Sequence, residues 1–407
     1  MEGCVSARVS LLFVGDELVD GLIENTNASW AKARLQLLGV GLCEMAEVRD
    51  DPSMIAALLD YMLDVSDVVV ISGGLGPTED DVTREAVSKA LGRDLVFDEE
   101  LWAGIEERLR QRGVAVKEGH RRMAMVVEGA KVVENPVGLA PGQILERGSK
   151  AVVLIPAPPA EFQAVFDLAL ERLGLKGDGV RLKVYKLFGL KESEVNARLK
   201  DLLKAFPLRW GTVIDAGEVW INLKCPVELE ERVEGILKSA FGEDLFGVGD
   251  ETLPVVVGRL LREKGLSLSV AESCTGGLLA SMITDVSGSS DYFAGGVVSY
   301  LERVKEAVLG VDPEVIRKHT VYSHEVARQM AEGVRRLMNT DLALATTGIA
   351  GPTGGTPEKP VGLVYVGLAH PKGVESFEFF YGYDRVGNKR AFAKSALDVL
   401  RRFLLKL

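Results

Sequence analysis

Ser273 and Thr275 lie in the stretch Leu266 to Met282, LSLSVAESCTGGLLASM, where hydroxyls, a thiol and a glycine pair follow a short apolar run. Leu266 to Ala271 reads as a buried strand, and Glu272 to Gly277 as a tight polar turn. A helix begins near Leu278, because Leu278, Leu279, Met282, Ile283 and Val286 fall on one face. N–H groups at a helix start are unpaired and carry the positive end of its dipole. Gly276 and Gly277 leave that backbone open to a ligand. A hydroxyl beside such an anion hole is the equipment of acyl transfer. Read blandly, the same fragment is an N-cap followed by two packing glycines.

A serine nucleophile needs a base. The histidines of this half, His319, His324 and His370, do not stand at strand ends among small neighbours. Lys305 follows Tyr300, the aromatic end of the expected strand Gly295 to Tyr300. Burial can make a lysine neutral enough to take a proton, and Ser–Lys pairing is a known variant of the triad. The alternative fate of Lys305 is a solvated position on a helix. Cys274 is the rival nucleophile, since a helix start lowers a thiol pKa; strand alternation points it away from Ser273, which favours packing.

A second chemical stretch is Ser72-Gly73-Gly74-Leu75-Gly76-Pro77-Thr78, followed by Glu79, Asp80 and Asp81. Gly73, Gly74 and Gly76 open the backbone for N–H contact with phosphate, and Thr78 leads toward a helix whose dipole adds to it. Asp80 and Asp81 beside that cradle suit a divalent metal bridging to phosphate. Equally, Thr78 to Asp81 serve as first-turn residues for the helix Val82 to Leu91.

The elements that must position these residues alternate between strand and helix. Arg8 to Val14 is a strand, Thr26 to Leu38 a helix, Val40 to Val48 a strand, Ser53 to Leu63 a helix and Asp67 to Ile71 a central buried strand. Such alternation predicts a mostly parallel sheet with helices on both faces, and ligands beyond the carboxyl ends of its strands. Gly174 to Asp178 and Gly242 to Asp250 read as linkers around a small α+β unit. Domains are therefore expected at 1–174, 179–242 and 250–407. In the last, Leu342 to Thr347 is a buried strand ending in Gly348-Ile349-Ala350-Gly351-Pro352, and Thr346 and Thr347 offer hydroxyls at a strand end. Arg385 can fork onto a phosphate.

A net charge of −11 disfavours a general nucleic-acid binder. No apolar run reaches membrane-spanning length, and no basic-then-apolar leader is seen. The four scattered cysteines, with no CxxC pair, fit reduced thiols in a cytoplasm.

Ala271-Glu272-Ser273-Cys274-Thr275-Gly276-Gly277 resembles the signature of the nicotinamide mononucleotide deamidase family, which forms the C-terminal domain of CinA proteins. SGGLGPTEDDVTREAV, GDELVDGLIENTN, Asn135 to Gly142 and Pro156 to Glu161 are similar to motifs of the CinA N-terminal domain, itself of molybdopterin-binding type. Departures are Asn25 for Asp, Leu139 for Thr, Ala157 for Gly, and His120-Arg121-Arg122 in place of Asn-Arg-Lys. The family's Tyr-Ser-Asn-x-x-Lys appears as Tyr300-Leu301-Glu302-Arg303-Val304-Lys305, and Tyr383 precedes Asp384-Arg385 where Gly is usual.

The resemblance implies a cytoplasmic, homodimeric α/β protein that acts on small-molecule nucleotides and neither spans membranes nor binds nucleic acid generally. It implies amide hydrolysis with Ser273 as nucleophile and Lys305, assisted by Tyr300, moving the proton. Thr275, Gly276 and Gly277 would hold the oxyanion, and Thr347, Gly348, Gly351 and Arg385 the substrate, with no cofactor. For the N-terminal domain it implies ADP-ribose hydrolysis with a divalent metal at Asp80 and Asp81. The reading from another class is a non-catalytic nucleotide- or pterin-binding protein with a regulatory role in competence or DNA damage.

Overall fold

The computed structural model describes residues 7–175, 179–206 and 208–407 and divides into two compact units, 1–182 and 183–407. Cys4 and most of the expected linker Gly174 to Asp178 fall outside the described residues.

In the first unit the strands are β1 (Arg8–Val14), β2 (Gly41–Val48), β3 (Val68–Ser72), β4 (Leu95–Phe97), β5 (Met125–Val127), β6 (Lys131–Val133), β7 (Gly142–Arg147) and β8 (Lys150–Ile155). Six of them form a sheet in the order β2-β1-β3-β8-β7-β6, with β4 and β5 a separate ribbon. β1, β2, β3 and β8 run parallel, and β7 and β6 are antiparallel additions. This is the mixed α/β architecture, mostly parallel at the N-terminus, that the alternation predicts. β3 is buried along its whole length because both faces are covered. Val69 and Ile71 join the core under helices Pro52–Val65 and Thr83–Leu91, while Val68 and Val70 meet Thr26–Leu37 and Pro159–Arg172.

The second unit begins with β9 (Val180–Phe188), β10 (Arg209–Asp215), β11 (Glu218–Pro226) and β12 (Leu245–Val248), ordered β10-β11-β9-β12. Helices Glu192–Leu203 and Glu230–Phe241 share its core. β12 corrects the second expected linker: Leu245 to Val248 pairs antiparallel with Leu187 to Tyr185, because Leu245 and Phe246 supply apolar side chains that the surrounding Gly and Asp residues disguise.

The sheet that positions the serine contains β13 (Leu268–Glu272), β14 (Phe293–Val298), β15 (Leu342–Gly348), β16 (Leu363–His370) and β17 (Gly373–Phe380), ordered β14-β13-β15-β16-β17. β14, β13 and β15 are parallel, and β16 and β17 antiparallel. Leu268, Val270, Leu342 and Leu344 face the core with helices Leu253–Lys264 and Arg385–Leu405. Ala271, Ala343 and Ala345 face helix His324–Met338. That helix lies close to the sheet, and a Cβ on Gly367 would stand 2.2 Å from the Ala327 carbonyl oxygen. Three parallel strands thus end side by side, and the turns after β13, β14 and β15 meet at their carboxyl edge. Among the described residues no helix is long and apolar enough to cross a membrane.

Candidate active site

The turn after β13 is built on Glu272. This side chain, 1 % exposed, closes the strand instead of opening the turn. Its carboxylate accepts the N–H groups of Gly277 (2.9 Å), Leu279 (3.0 Å) and Ala280 (2.9 Å). An internal anion therefore satisfies the start of helix Leu278–Thr284. Gly276 and Gly277, at φ 61° and 94°, make the left-handed bend. The Ser273 N–H donates to the Thr346 carbonyl at 2.9 Å, which ties the turn to β15. Among the described residues, the N–H groups of Cys274, Thr275 and Gly276 meet no backbone acceptor, that of Cys274 lying against its own thiol. The expected oxyanion group is accordingly corrected by one residue: Gly277 is committed to Glu272, and Cys274 joins Thr275 and Gly276. The Thr275 hydroxyl is also occupied, at 2.7 Å from that of Thr346.

Lys305 comes from helix Glu302–Leu309, after β14, and is 1 % exposed. Its Nζ lies 3.1 Å from Ser273 Oγ, 2.6 Å from the Ser299 carbonyl oxygen and 3.3 Å from that of Tyr300. Burial lowers its pKa from the ordinary lysine value, against smaller opposing effects of Cys274 and Glu302. A neutral amine has two N–H donors and one lone pair. In the neutral form, two N–H groups on the two carbonyls would leave the lone pair for Ser273 Oγ. Tyr300 serves Lys305 through its backbone only, a correction to the expected side-chain assistance, because its hydroxyl instead accepts from Arg385 Nη2 at 3.2 Å. Burial pushes the Cys274 thiol up to about 12, and its side chain packs with Ala350, Val364 and Phe392. A thiol so protonated is no nucleophile near neutral pH.

Ser273, Lys305, Tyr300, Gly348, Gly351 and Arg385 line one cavity of about 370 Å³, together with Glu302, Tyr322 and the loop residues up to Gly354. Thr347 does not share it: its hydroxyl, fully buried, donates to the Val321 carbonyl at 2.7 Å. Arg385 donates to the Gly351 carbonyl as well as to Tyr300, which leaves three of its five N–H groups for a ligand. Three contributors escaped sequence reasoning. Glu272 looked like a turn residue. Asn388, fully buried, donates to the carbonyls of Ala350 (3.1 Å) and Tyr383 (3.0 Å) and so holds two cavity loops together. Lys389, one helical turn after Arg385, brings its Nζ within 3.7 Å of the point where a Cβ on Gly276 would lie; the i, i+4 spacing on the helix was the available signal.

The N-terminal motifs also converge. Gly74, Gly76, Asp81, His120, Leu139, Ala157 and Glu161 line a pocket of about 430 Å³. Asn25 stands apart from it as the N-cap of helix Thr26–Leu37, accepting from the Ala28 N–H at 2.9 Å. The loop's donors are largely spent inside the protein. Gly73 N–H meets the Ile155 carbonyl. Gly76 N–H donates to Asp81 at 2.7 Å, as do the N–H (2.8 Å) and hydroxyl (2.5 Å) of Thr78. The Asp81 carboxylate thus fills the cradle expected for phosphate. Asp80 is exposed, and among the described residues no group of three or more His, Cys, Asp or Glu could hold a metal ion. Of the two expected metal ligands, Asp81 is thus turned to the loop and Asp80 to the surface.

Fold and site define an α/β protein with a molybdopterin-binding type of sheet in its first unit and a strand–turn–helix serine with a buried lysine in its second. Residues 10–174 match the model of a probable molybdopterin binding domain and residues 250–404 that of the CinA C-terminal domain. CinA-like proteins of Thermotoga maritima and Thermotoga neapolitana are each 38 % identical over 98 % of this chain and 98 % of their own. A Caldicellulosiruptor saccharolyticus protein, whose name ties it provisionally to competence-damage induction, is 38 % identical over 97 % and 98 %. The chain belongs to the CinA family.

Proposed function

We propose that the second unit hydrolyses the carboxamide of nicotinamide mononucleotide, giving nicotinic acid mononucleotide and ammonia. The observation that carries this reading is the buried Lys305 Nζ at 3.1 Å from Ser273 Oγ, at the edge of a nucleotide-sized cavity. Neutral Lys305 takes the Ser273 proton as Oγ bonds to the amide carbon, and the carbonyl electron pair moves onto oxygen. The N–H groups of Cys274 to Gly276 receive that oxyanion. Lys305 then passes its proton to the departing nitrogen, which leaves as ammonia and forms an acyl-Ser273 ester. Water attacks the ester as Lys305 takes its proton, and that proton passes to Ser273 Oγ as the C–Oγ bond breaks and the acid leaves. Arg385 and Lys389 supply positive charge for the phosphate.

An ammonia-release assay with nicotinamide mononucleotide tests the reading: the wild-type chain releases ammonia and Ser273→Ala does not. Absence of release from the wild type removes it. For the first unit, the pocket around which its motifs gather supports a ligand-binding role, and the commitment of Asp81 to Gly76 and Thr78 disfavours metal-dependent ADP-ribose cleavage.

A further inference from the structure

Three charged side chains line the cavity: Glu302, Lys305 and Arg385. Lys305 is held by Ser273 and by the carbonyls of Ser299 and Tyr300, which leaves Glu302 and Arg385 as the opposite charges outside that hydrogen-bond set. Glu302 is exposed, starts its helix and has no hydrogen bond or ion pair among the described residues. Arg385 is bound only to a carbonyl and a phenol, neither of which carries charge to offset its own. The two do not pair with each other, although they line the same 370 Å³ space. Glu302 nevertheless sits close enough to the chemistry for its charge to oppose the lowered pKa of Lys305 and to raise that of Tyr322. In the motif that this stretch resembles, the position of Glu302 carries a neutral Asn.

An uncompensated anion and an uncompensated cation held apart in one cavity match a ligand with the complementary pair. We propose that Glu302 is a specificity residue that reads positive charge on the ring bearing the scissile amide, while Arg385 takes the anionic end. This deepens the deamidase reading and rests on it. A pyridinium ring next to the carboxamide satisfies Glu302, and a neutral ring leaves that carboxylate unmatched. The site therefore selects oxidised, quaternised pyridine nucleotides over their reduced, uncharged counterparts. Glu302 itself moves no proton. Its carboxylate opposes the neutral state of Lys305, and a bound cationic ring would offset that effect.

The probe pair is nicotinamide mononucleotide and its 1,4-dihydro form, which share carboxamide, ribose and phosphate and differ in ring charge. Dissociation constants are measured by calorimetry on full-length Ser273→Ala protein, with and without Glu302→Gln. A charge pair near a protein surface predicts that Glu302→Gln weakens the oxidised nucleotide about three- to tenfold. The dihydro form should change less than twofold. Glu302→Asn, which restores the amide, should behave likewise, and an exposed position leaves the fold undisturbed. Equal weakening of both nucleotides, no change in either, or no binding of the oxidised form overturns the proposal. Failure of the deamidase reading shows separately, as tight charge-dependent binding without ammonia release by the wild type.

Discussion

Lys305 carries most of the weight at the scale of single residues. Its amine is sealed from water and faces two carbonyl oxygens and one hydroxyl. Lys305→Arg keeps a positive charge that cannot be lost near working pH, so ammonia release should fall by at least about a thousandfold, in the range of general-base losses. Undiminished turnover in that variant removes the dyad. The pH dependence has a definite sign. Only the neutral amine accepts the Ser273 proton, so activity rises with pH through the pKa of Lys305. Burial holds that pKa below the ordinary lysine value of 10.5. A rate profile that falls over the same rise, with the fold intact, contradicts the assignment. The Ser273 position was legible from a strand end with small neighbours, whereas Lys305 was singled out by the resemblance of Tyr300 to Lys305 to a family motif, since spacing alone left it a solvated helix residue. Thr347 was misread because β15 is buried on both faces, and alternation then offers no solvent side to distinguish one hydroxyl from another.

The turns decide the chemistry at the scale of elements, and Glu272 decides the turn. Acidic residues beside serine and glycine read as turn formers, which is why the strand was expected to stop at Ala271. Burying a carboxylate is costly unless it is hydrogen-bonded, and three N–H donors meet that need here. Glu272→Gln places an NH₂ where at least one of those donors must point. The variant should lose about 1–3 kcal/mol of stability, the cost of leaving a buried donor unsatisfied, read as a lower thermal midpoint. It should also lose turnover, since the bend that presents the Cys274 to Gly276 N–H groups is no longer fixed. A variant as stable and active as the wild type would show that the cap is ornamental. The first unit teaches the converse. Its motifs were legible and do gather around one pocket, yet their donors turn inward onto Asp81, a pairing that sequence spacing alone does not distinguish from open phosphate contacts.

The whole molecule divides into two compact units at residue 183, so the small sheet and the domain that starts near 250 share one unit. The reason lies in buried and half-buried charges shared between the small α+β unit and the final helix. Lys394, 6 % exposed, pairs with Asp215 at 2.7 Å and Glu218 at 3.2 Å on the β10–β11 hairpin. Arg402 pairs with Asp244 at 2.9 Å and donates to the Phe188 carbonyl, and Arg401 donates to the Glu243 carbonyl. At the hairpin tip the Gly217 N–H donates to the Tyr383 hydroxyl at 3.2 Å, two residues before Arg385. Removing one partner of a buried pair costs about 3–5 kcal/mol, because the other charge stays behind. A chain of residues 250–407 leaves Lys394 without Asp215 and Glu218, and Arg402 with Asp398 but not Asp244, whereas 183–407 keeps them all. The longer fragment should therefore melt as one transition and retain ammonia release with an unchanged KM. The shorter should melt well below it and, with Tyr383 unbraced, show a raised KM as Arg385 loses its fixed position. Lys394→Met in the full chain isolates the electrostatic part and should lower the melting temperature of this unit while Ser273 and Lys305 remain in place. Equal midpoints for the two fragments would mean that the small sheet contributes nothing to the site, and that the charges across it are solvated once the hairpin is gone.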